Sequence, residues 1–136
     1  MVEIRADPPH LLEIFPWEIK KVLTNRDVGF FGGLELSQEQ VYYHIFKYWD
    51  EKMASLVIHR GGHVPIVMRD LDTNTEHELF FKKWTSDENY VIHTYWKREF
   101  VARRGLKEGM LIGMYWNISS SCFCFSVLNN SHVSHR

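Results

Sequence analysis

Short runs of bulky apolar and β-branched residues, separated by polar residues that favour turns, recur along most of the chain. Runs of this kind are typical of β-strands. Residues 24–27 and 72–74 have the composition of turns between such strands. The pattern predicts strands over residues 17–23, 34–36, 54–59, 64–69, 77–82, 90–93, 110–116 and 122–128.

A helical period follows the second predicted strand. Ser37 and Gln40 form a capping-box sequence, in which two side chains satisfy unpaired amide groups at the start of a helix. Apolar residues then repeat on one face, so we expect a helix over residues 38–49 whose apolar stripe belongs to the core. The stripe consists of Val41, Ile45, Phe46 and Trp49.

A second helix of about two to three turns is predicted near residues 96–104, where Trp96 and Phe100 lie at helical spacing and Gly105 follows as a left-handed terminator. Many short strands with two helices imply a small open or closed barrel, because such strands cannot bury both faces in one flat sheet. We therefore expect a mixed α/β fold that is mainly β.

The chain divides into one domain and two tails. Residues 1–16 contain three prolines and no sustained period, which predicts an N-terminal tail. The domain is expected over residues 17–128, and the polar residues 129–136 are expected to form a C-terminal tail. The N-terminus has no apolar run of the kind found in secretory signals, and no apolar stretch approaches the roughly 18–20 residues of a membrane-spanning helix. No membrane partner is expected.

Composition and charge restrict the kind of partner. Hydrophobic residues make up 45% of the chain and aromatic residues 15%, which indicates a folded, sheet-rich protein. The formal net charge is −1. Residues 1–16 hold one basic and three acidic side chains, so residues 17–136 hold 15 basic and 14 acidic ones, a net charge of +1. Because Lys and Arg supply most non-specific affinity for DNA, any nucleic-acid site must be a local patch.

Candidate catalytic and metal-binding patterns are weak. Cys122 and Cys124 share one face of a predicted strand, where their main chains are too far apart for a relaxed disulfide, so we expect reduced thiols in an intracellular protein. The histidine pairs at positions 59 and 63 and at positions 77 and 93 lack the spacing of a zinc site. The acidic pairs at 70 and 72 and at 87 and 88 are expected to serve turns rather than catalysis. We expect neither a metal, nor a cofactor, nor an enzyme.

Three local strings, in this order and spacing, resemble the plant-specific B3 DNA-binding domain. They are KKVLTNRDVG at residues 20–29, KWTSDENYVI at residues 83–92, and YWKREFV followed by GLKEG within residues 95–109. The resemblance covers roughly residues 17–128. It implies a DNA-binding pseudobarrel of about seven strands with two short helices, in which two arms grip the major groove of double-stranded DNA.

The resemblance also implies which residues contact DNA. The first arm consists of Thr24, Asn25 and Arg26, with Lys21 on the adjoining strand, and the second arm, residues 84–89, contributes Trp84, Thr85, Ser86 and Asn89, approached by Lys82 and Lys83. Arg can donate two hydrogen bonds to a guanine edge, Asn can pair with adenine, and Ser or Thr can contact a base or a phosphate. Lysines at the strand ends would neutralise backbone charge.

These residues favour a sequence-specific DNA-binding protein that regulates transcription in the nucleus. Asp87 and Glu88 place negative charge in the second arm, and carboxylates near phosphates weaken DNA binding. A protein-interaction or oligomerisation domain with the same fold and weak DNA affinity is therefore the alternative. Tyr42, Tyr43 and Tyr48 would give it an exposed aromatic patch. A third reading is the DNA-recognition subunit of an endonuclease, since the same barrel occurs in restriction enzymes.

Overall fold

In the computed structural model, which describes residues 17–30, 32–59, 62–84 and 87–129, one curled sheet carries several short helices. The strands are β1 (Ile19–Val22), β2 (Leu34–Leu36), β3 (Val64–Asp70), β4 (Thr75–Lys83), β5 (Tyr90–His93), β6 (Leu111–Asn117) and β7 (Cys122–Asn129). The helices are α1 (Asn25–Val28), α2 (Gln38–His44), a 3-10 helix (Phe46–Tyr48), α3 (Glu51–Ile58) and a π-helix (Lys97–Ala102).

The strand order across the sheet is β1-β6-β7-β3-β4-β5-β2. All neighbours pair antiparallel except β3 and β7, which run parallel. The first two strands along the chain therefore form the two ends of the sheet. Lys21 on β1 donates a hydrogen bond from Nζ to the main-chain oxygen of Glu35 on β2. A side chain thus joins the two sheet ends, and the sheet curls into the predicted pseudobarrel.

Helix α3 lies where the sequence predicts a strand over residues 54–59, so that prediction is wrong. Asp50 accepts a hydrogen bond from the main-chain nitrogen of Met53 at 2.8 Å and caps the start of the helix. Ala54 and Val57, three residues apart, are buried, whereas Leu56 is exposed. A spacing of three fits a helix, while the β-branched Val57 had favoured a strand.

The remaining elements follow the predicted pattern closely. Strands β2 and β5 have the predicted bounds, and the other predicted strands differ from the observed ones by a few residues at their ends. The helix predicted over residues 38–49 breaks at Ile45 into α2 and the 3-10 helix. Its capping box is present, and Gly105 has the expected left-handed conformation at φ 66°. The division of the chain into residues 1–16, 17–128 and 129–136 stays a prediction.

Aromatic rings fill the inside of the curled sheet. Phe81 stacks on Tyr90 with ring centroids 5.6 Å apart, and Trp96 stacks on Phe100 at 5.1 Å. The predicted core stripe on the helix is confirmed, because three of its members are buried and the fourth packs against the core. These are Val41, Ile45 and Trp49, with Phe46 as the partly buried fourth. The packed interior gives the surface loops a rigid base.

Both cysteines are free and buried, as expected from their positions on one strand. Burial raises the pKa of the Cys124 thiol above its ordinary value, so this side chain stays protonated at neutral pH. Within the described residues, no helix is long and apolar enough to cross a membrane.

Candidate nucleic-acid interface

The first arm lies on a single helical turn, α1, where the sequence predicts a simple turn over residues 24–27. Thr24 caps this turn, since its Oγ1 accepts from the main-chain nitrogen of Asp27 at 3.2 Å. In return, Asp27 Oδ2 accepts from the main-chain nitrogen of Thr24 at 2.7 Å. Asn25 and Arg26 follow the cap and are exposed, so the capping box presents both side chains to solvent.

Asp27 anchors the first arm to the rest of the fold. Its carboxylate is fully buried and accepts a second main-chain hydrogen bond, from Glu35 nitrogen on β2 at 3.0 Å. Its Oδ1 also lies 3.1 Å from the ammonium nitrogen of Lys21. The main-chain oxygen of Asp27 accepts from Trp96 Nε1 at 2.9 Å. One residue therefore ties the first arm to β1, to β2 and to the start of the π-helix.

Among the residues predicted to contact DNA at the first arm, Lys21 is largely buried, whereas the others are exposed. Its ammonium group lies between the Asp27 carboxylate and the Glu35 main-chain oxygen. The lysine therefore compensates a buried carboxylate and joins the two ends of the sheet. Its neighbour Lys20 is exposed on the opposite face of β1.

The second arm is a closed loop between β4 and β5. The main-chain nitrogen of Trp84 donates to the main-chain oxygen of Asn89 at 2.9 Å, which fixes the width of the loop base. Asp87 Oδ1 accepts from the main-chain nitrogen of Asn89 at 2.9 Å, a turn-stabilising contact of the kind expected for Asp87. Thr85 and Ser86, both predicted to contact DNA, lie outside the described residues.

Trp84 brings the two arms together. The Arg26 guanidinium carbon lies 5.9 Å from the centre of the Trp84 ring, and the Lys82 ammonium lies 5.5 Å from it. Both distances suit a cation–π contact. Trp84 Nε1 is buried and has no hydrogen-bond partner among the residues the structure describes. The indole therefore lies against two cations, with its nitrogen buried.

A groove runs between the two arms. Its apolar part is a cleft of about 430 Å³ lined by Asn25, Arg26, Gly29, Gly32 and Trp84. At Gly32 an added Cβ would lie 1.9 Å from the main-chain oxygen of Arg26, so only glycine allows this close approach. A second, wider and more polar depression adjoins the cleft along β1, β2 and the start of α2. Arg26 lines both hollows, so it stands at the centre of the groove.

The groove carries charges of both signs. Glu35 lies on its floor, with Oε1 3.6 Å from Arg26 Nη1 and Oε2 accepting from Asn89 Nδ2 at 3.2 Å. Lys83 at the end of β4 is paired with Glu88 of the second arm at 3.0 Å. Glu35 and Glu88 are therefore partners of predicted DNA-contacting residues. The role of Glu35 could not be predicted from the sequence, where it lies between two apolar residues on a short strand.

The role of Asp27 was missed as well, although its signal is present in the sequence. Thr24 and Asp27 stand in the spacing of a capping box, with aspartate where glutamate or glutamine is usual. That spacing would have predicted a helical turn rather than a simple turn. It could not have predicted the contacts to Lys21 and Glu35, because these depend on how β1 and β2 meet in three dimensions.

A second polar cluster lies at the opposite end of β4 from the groove. Asp70 is fully buried at the end of β3, where its Oδ1 accepts from the main-chain nitrogen of Asp72 at 3.0 Å, a local turn contact of the kind expected for it. It also binds Arg103 Nη2 at 2.7 Å and Arg104 Nη1 at 2.7–2.8 Å. Burial raises the pKa of Asp70, but the hydrogen bonds from Arg104 and Arg103 outweigh it and hold the pKa below its ordinary value. The contacts of Asp70 with the two arginines fix the end of the π-helix against the sheet and add no free charge to the groove.

His77 and His93, a candidate pair in the sequence, lie in different environments. His77 bonds to Thr75 Oγ1 at 2.7 Å and to Glu99 Oε1 at 2.6 Å, and this contact lowers the pKa of Glu99. The ring of His93 packs 4.8 Å from that of His63. Burial, followed by the electrostatic effects of the neighbouring His63 and Lys82, lowers the pKa of His93 to about 4. Within the described residues, no group of three or more His, Cys, Asp or Glu side chains is arranged to hold a metal.

Comparison with known proteins shows matches along most of the chain. A family profile described as "B3 domain-containing protein At5g26805, C-terminal domain" matches residues 17–128. B3 domain-containing protein At5g26805 from Arabidopsis thaliana is 35% identical over 128 residues, which cover 94% of this chain and 78% of that protein. The putative B3 domain-containing protein At1g78640 from the same plant is 38% identical over 112 residues, which cover 82% of this chain but only 22% of that protein.

Two solved structures share the fold. The structure described as an Arabidopsis FUS3-DNA complex matches with a TM-score of 0.62 and 22% identity, over 80% of this chain and 93% of that chain. The Arabidopsis thaliana transcription factor LEC2-DNA complex matches with a TM-score of 0.57 and 23% identity, over 78% of this chain and 86% of that chain. Both matches confirm the predicted pseudobarrel.

Proposed function

The chain belongs to the family of B3 domain-containing proteins, and on that premise we propose that it binds double-stranded DNA in a sequence-specific manner. The two arms enter the major groove, and the protein regulates transcription in the nucleus. Two solved proteins of the same fold are described as DNA complexes, one of them as a transcription factor. The proposed activity is binding alone and needs neither a catalytic residue nor a cofactor.

One observation carries the proposal: side chains from both arms meet around one groove. Asn25 and Arg26 come from the first arm and Asn89 from the second, and Arg26 reaches the ring of Trp84 across the cleft. Arginine donors match the O6 and N7 edge of guanine, and an asparagine amide matches adenine. The groove therefore combines two kinds of base-reading side chain on rigid elements.

Few phosphates can be neutralised along this surface. Lys20, Lys82 and Lys83 lie at strand positions beside the groove, but Lys83 is paired with Glu88 and Lys21 with Asp27. With about two to four phosphate contacts, log affinity should fall with log salt concentration at a slope of about −2 to −4. The protein should therefore bind more weakly than a strongly basic DNA-binding domain and depend more on base contacts.

The test starts from the full chain and a randomised pool of duplexes, from which a bound site is selected. Fluorescence anisotropy then measures affinity for the selected and a scrambled duplex at two salt concentrations. We expect Arg26→Ala to weaken binding to the selected site by about 1–3 kcal/mol and to relax the sequence preference. Lys83→Ala should weaken binding to both duplexes alike. Failure of the parent protein to bind any duplex at low salt would overturn the proposal.

A second candidate function, protein interaction, is favoured by two exposed tyrosines on α2. Tyr43 is 66% exposed and Tyr42 is 40% exposed. Tyr42 is less exposed and packs on Phe46 at 5.4 Å, and Tyr48 donates a hydrogen bond to Glu18 at 2.6 Å. Self-association through this face would give a mass that rises with concentration in sedimentation and returns to the monomer mass in Tyr43→Ser. A monomer at all concentrations argues against self-association.

A further inference from the structure

Glu35 is the residue on which both arms converge. It belongs to neither arm but to β2, between the buried Leu34 and Leu36. Its main chain is held at both polar groups, because its nitrogen donates to Asp27 and its oxygen accepts from Lys21. The side chain therefore projects into the groove from a fixed point.

The two carboxylate oxygens of Glu35 are divided between the arms. Oε1 faces the guanidinium of Arg26, and Oε2 accepts a hydrogen bond from the amide of Asn89. The 3.6 Å separation from Arg26 is an ion pair but exceeds a hydrogen-bond distance, so this contact does not occupy the guanidinium donors. The 3.2 Å contact with Asn89 is at the long end of the hydrogen-bond range. Both contacts can yield to a base edge.

Resting on the proposed DNA-binding function, we propose that Glu35 is a positioning residue for base recognition, which fixes the spacing between Arg26 and Asn89. A long exposed arginine loses much side-chain freedom when it binds a base. Holding it beforehand reduces that loss and favours the one geometry in which both arms reach their bases. Non-specific binding through phosphates does not need this geometry and so gains nothing from it.

The negative charge of Glu35 has the opposite effect on non-specific binding. A carboxylate on the groove floor repels phosphates whatever the DNA sequence. Removing the charge should therefore raise affinity for any duplex, while removing the contacts should lower discrimination between duplexes. A merely structural role predicts instead that both affinities fall together.

Glu35→Gln tests the proposal, because glutamine keeps the size but has only one oxygen to share between the arms. Affinities of the full chain for the selected and the scrambled duplex are measured in the same preparation. We expect the ratio of the two affinities to fall by about five- to tenfold, as preorganised side chains become free. Affinity for the scrambled duplex should stay level or rise. A reduced folded fraction scales both affinities equally and leaves the ratio unchanged.

Glu39→Gln is the matched control. Glu39 lines the same hollow from the first turn of α2, and the described structure shows no contact from it to Arg26 or Asn89. This variant loses the same charge, so both affinities should rise alike and their ratio should not change. An equal ratio in Glu35→Gln and the parent would overturn the inference while leaving DNA binding intact. No binding by the parent would instead overturn the proposed function itself.

Discussion

Replacing Asp27 with asparagine tests whether one buried carboxylate holds the first arm in place. Three donors converge on its two oxygens: the main-chain nitrogens of Thr24 and Glu35 and the ammonium of Lys21. Asparagine has the same shape but replaces one oxygen with an NH₂ group. Whichever way the amide turns, a donor then faces a donor in a site that is fully buried.

The expected loss of stability follows from these contacts. A hydrogen bond to a charged group contributes about 1.5–3 kcal/mol, and a buried donor left unpaired costs about 1–3 kcal/mol. Removing one partner of a buried ion pair costs about 3–5 kcal/mol in other proteins. We therefore expect Asp27→Asn to lower the free energy of unfolding by about 3–5 kcal/mol, a large part of the roughly 5–15 kcal/mol of a typical domain.

Urea unfolding of the full chain at neutral pH, followed by tryptophan fluorescence, measures this loss. Asp50→Asn is the matched control, because Asp50 is an exposed helix cap with one main-chain partner, Met53, and asparagine caps helices equally well. The control should change the free energy of unfolding by less than about 0.5 kcal/mol. A loss below about 1 kcal/mol in Asp27→Asn would refute the reasoning, since a buried donor would then have found another partner.

Two further predictions concern charge. In the folded protein the pKa of His93 is about 4, below its ordinary 6.5, so between these pH values the unfolded chain binds a proton that the folded chain does not. The free energy of unfolding should therefore fall as pH drops from about 6.5 to 4, by up to about 3 kcal/mol. Urea unfolding at several pH values should show this loss reduced in His93→Phe and unchanged in His59→Asn. If the free energy of unfolding changes equally with pH in the parent and in His93→Phe, the assignment to His93 is refuted. Glu88→Gln should release Lys83, raise affinity for every duplex and steepen the slope of log affinity against log salt concentration by about 0.9. Glu78→Gln, which instead removes a carboxylate on β4, is the control and should leave this slope unchanged. A gain confined to the selected duplex would contradict this prediction.

Local patterns predicted most of the fold. Ser37 and Gln40 mark the start of α2. Strands β2 and β5 have the predicted bounds because each is a short run of mainly apolar residues that follows a turn sequence. The failure at α3 has a local cause too. Val57 and Ile58 are β-branched, and this composition outweighed Asp50, which caps the helix and whose signal was available.

The candidate site was less predictable, for a reason that is not local. Arg26 and Trp84 are 58 positions apart in sequence, and Glu35 and Asn89 are 54 apart. Only the family resemblance could place them on one groove, and it named both arms without the residue that links them. The ion pairs of Lys21 and Lys83 are likewise set by three-dimensional contacts, so a count of basic residues overstates the charge available to DNA.

The near-neutral charge of the chain agrees with a groove in which a carboxylate lies beside the predicted DNA-contacting residues. In a strongly basic groove, contacts to phosphates supply a large share of the affinity whatever the DNA sequence. Here the carboxylate of Glu35 lies against Arg26 of the first arm and Asn89 of the second. In the proposed function, every duplex meets the same repulsion from this charge, but only a site whose base edges match Arg26 and Asn89 gains from the geometry that the carboxylate holds. Glu35 would therefore weaken binding to DNA in general and increase the difference between a matching and a non-matching site.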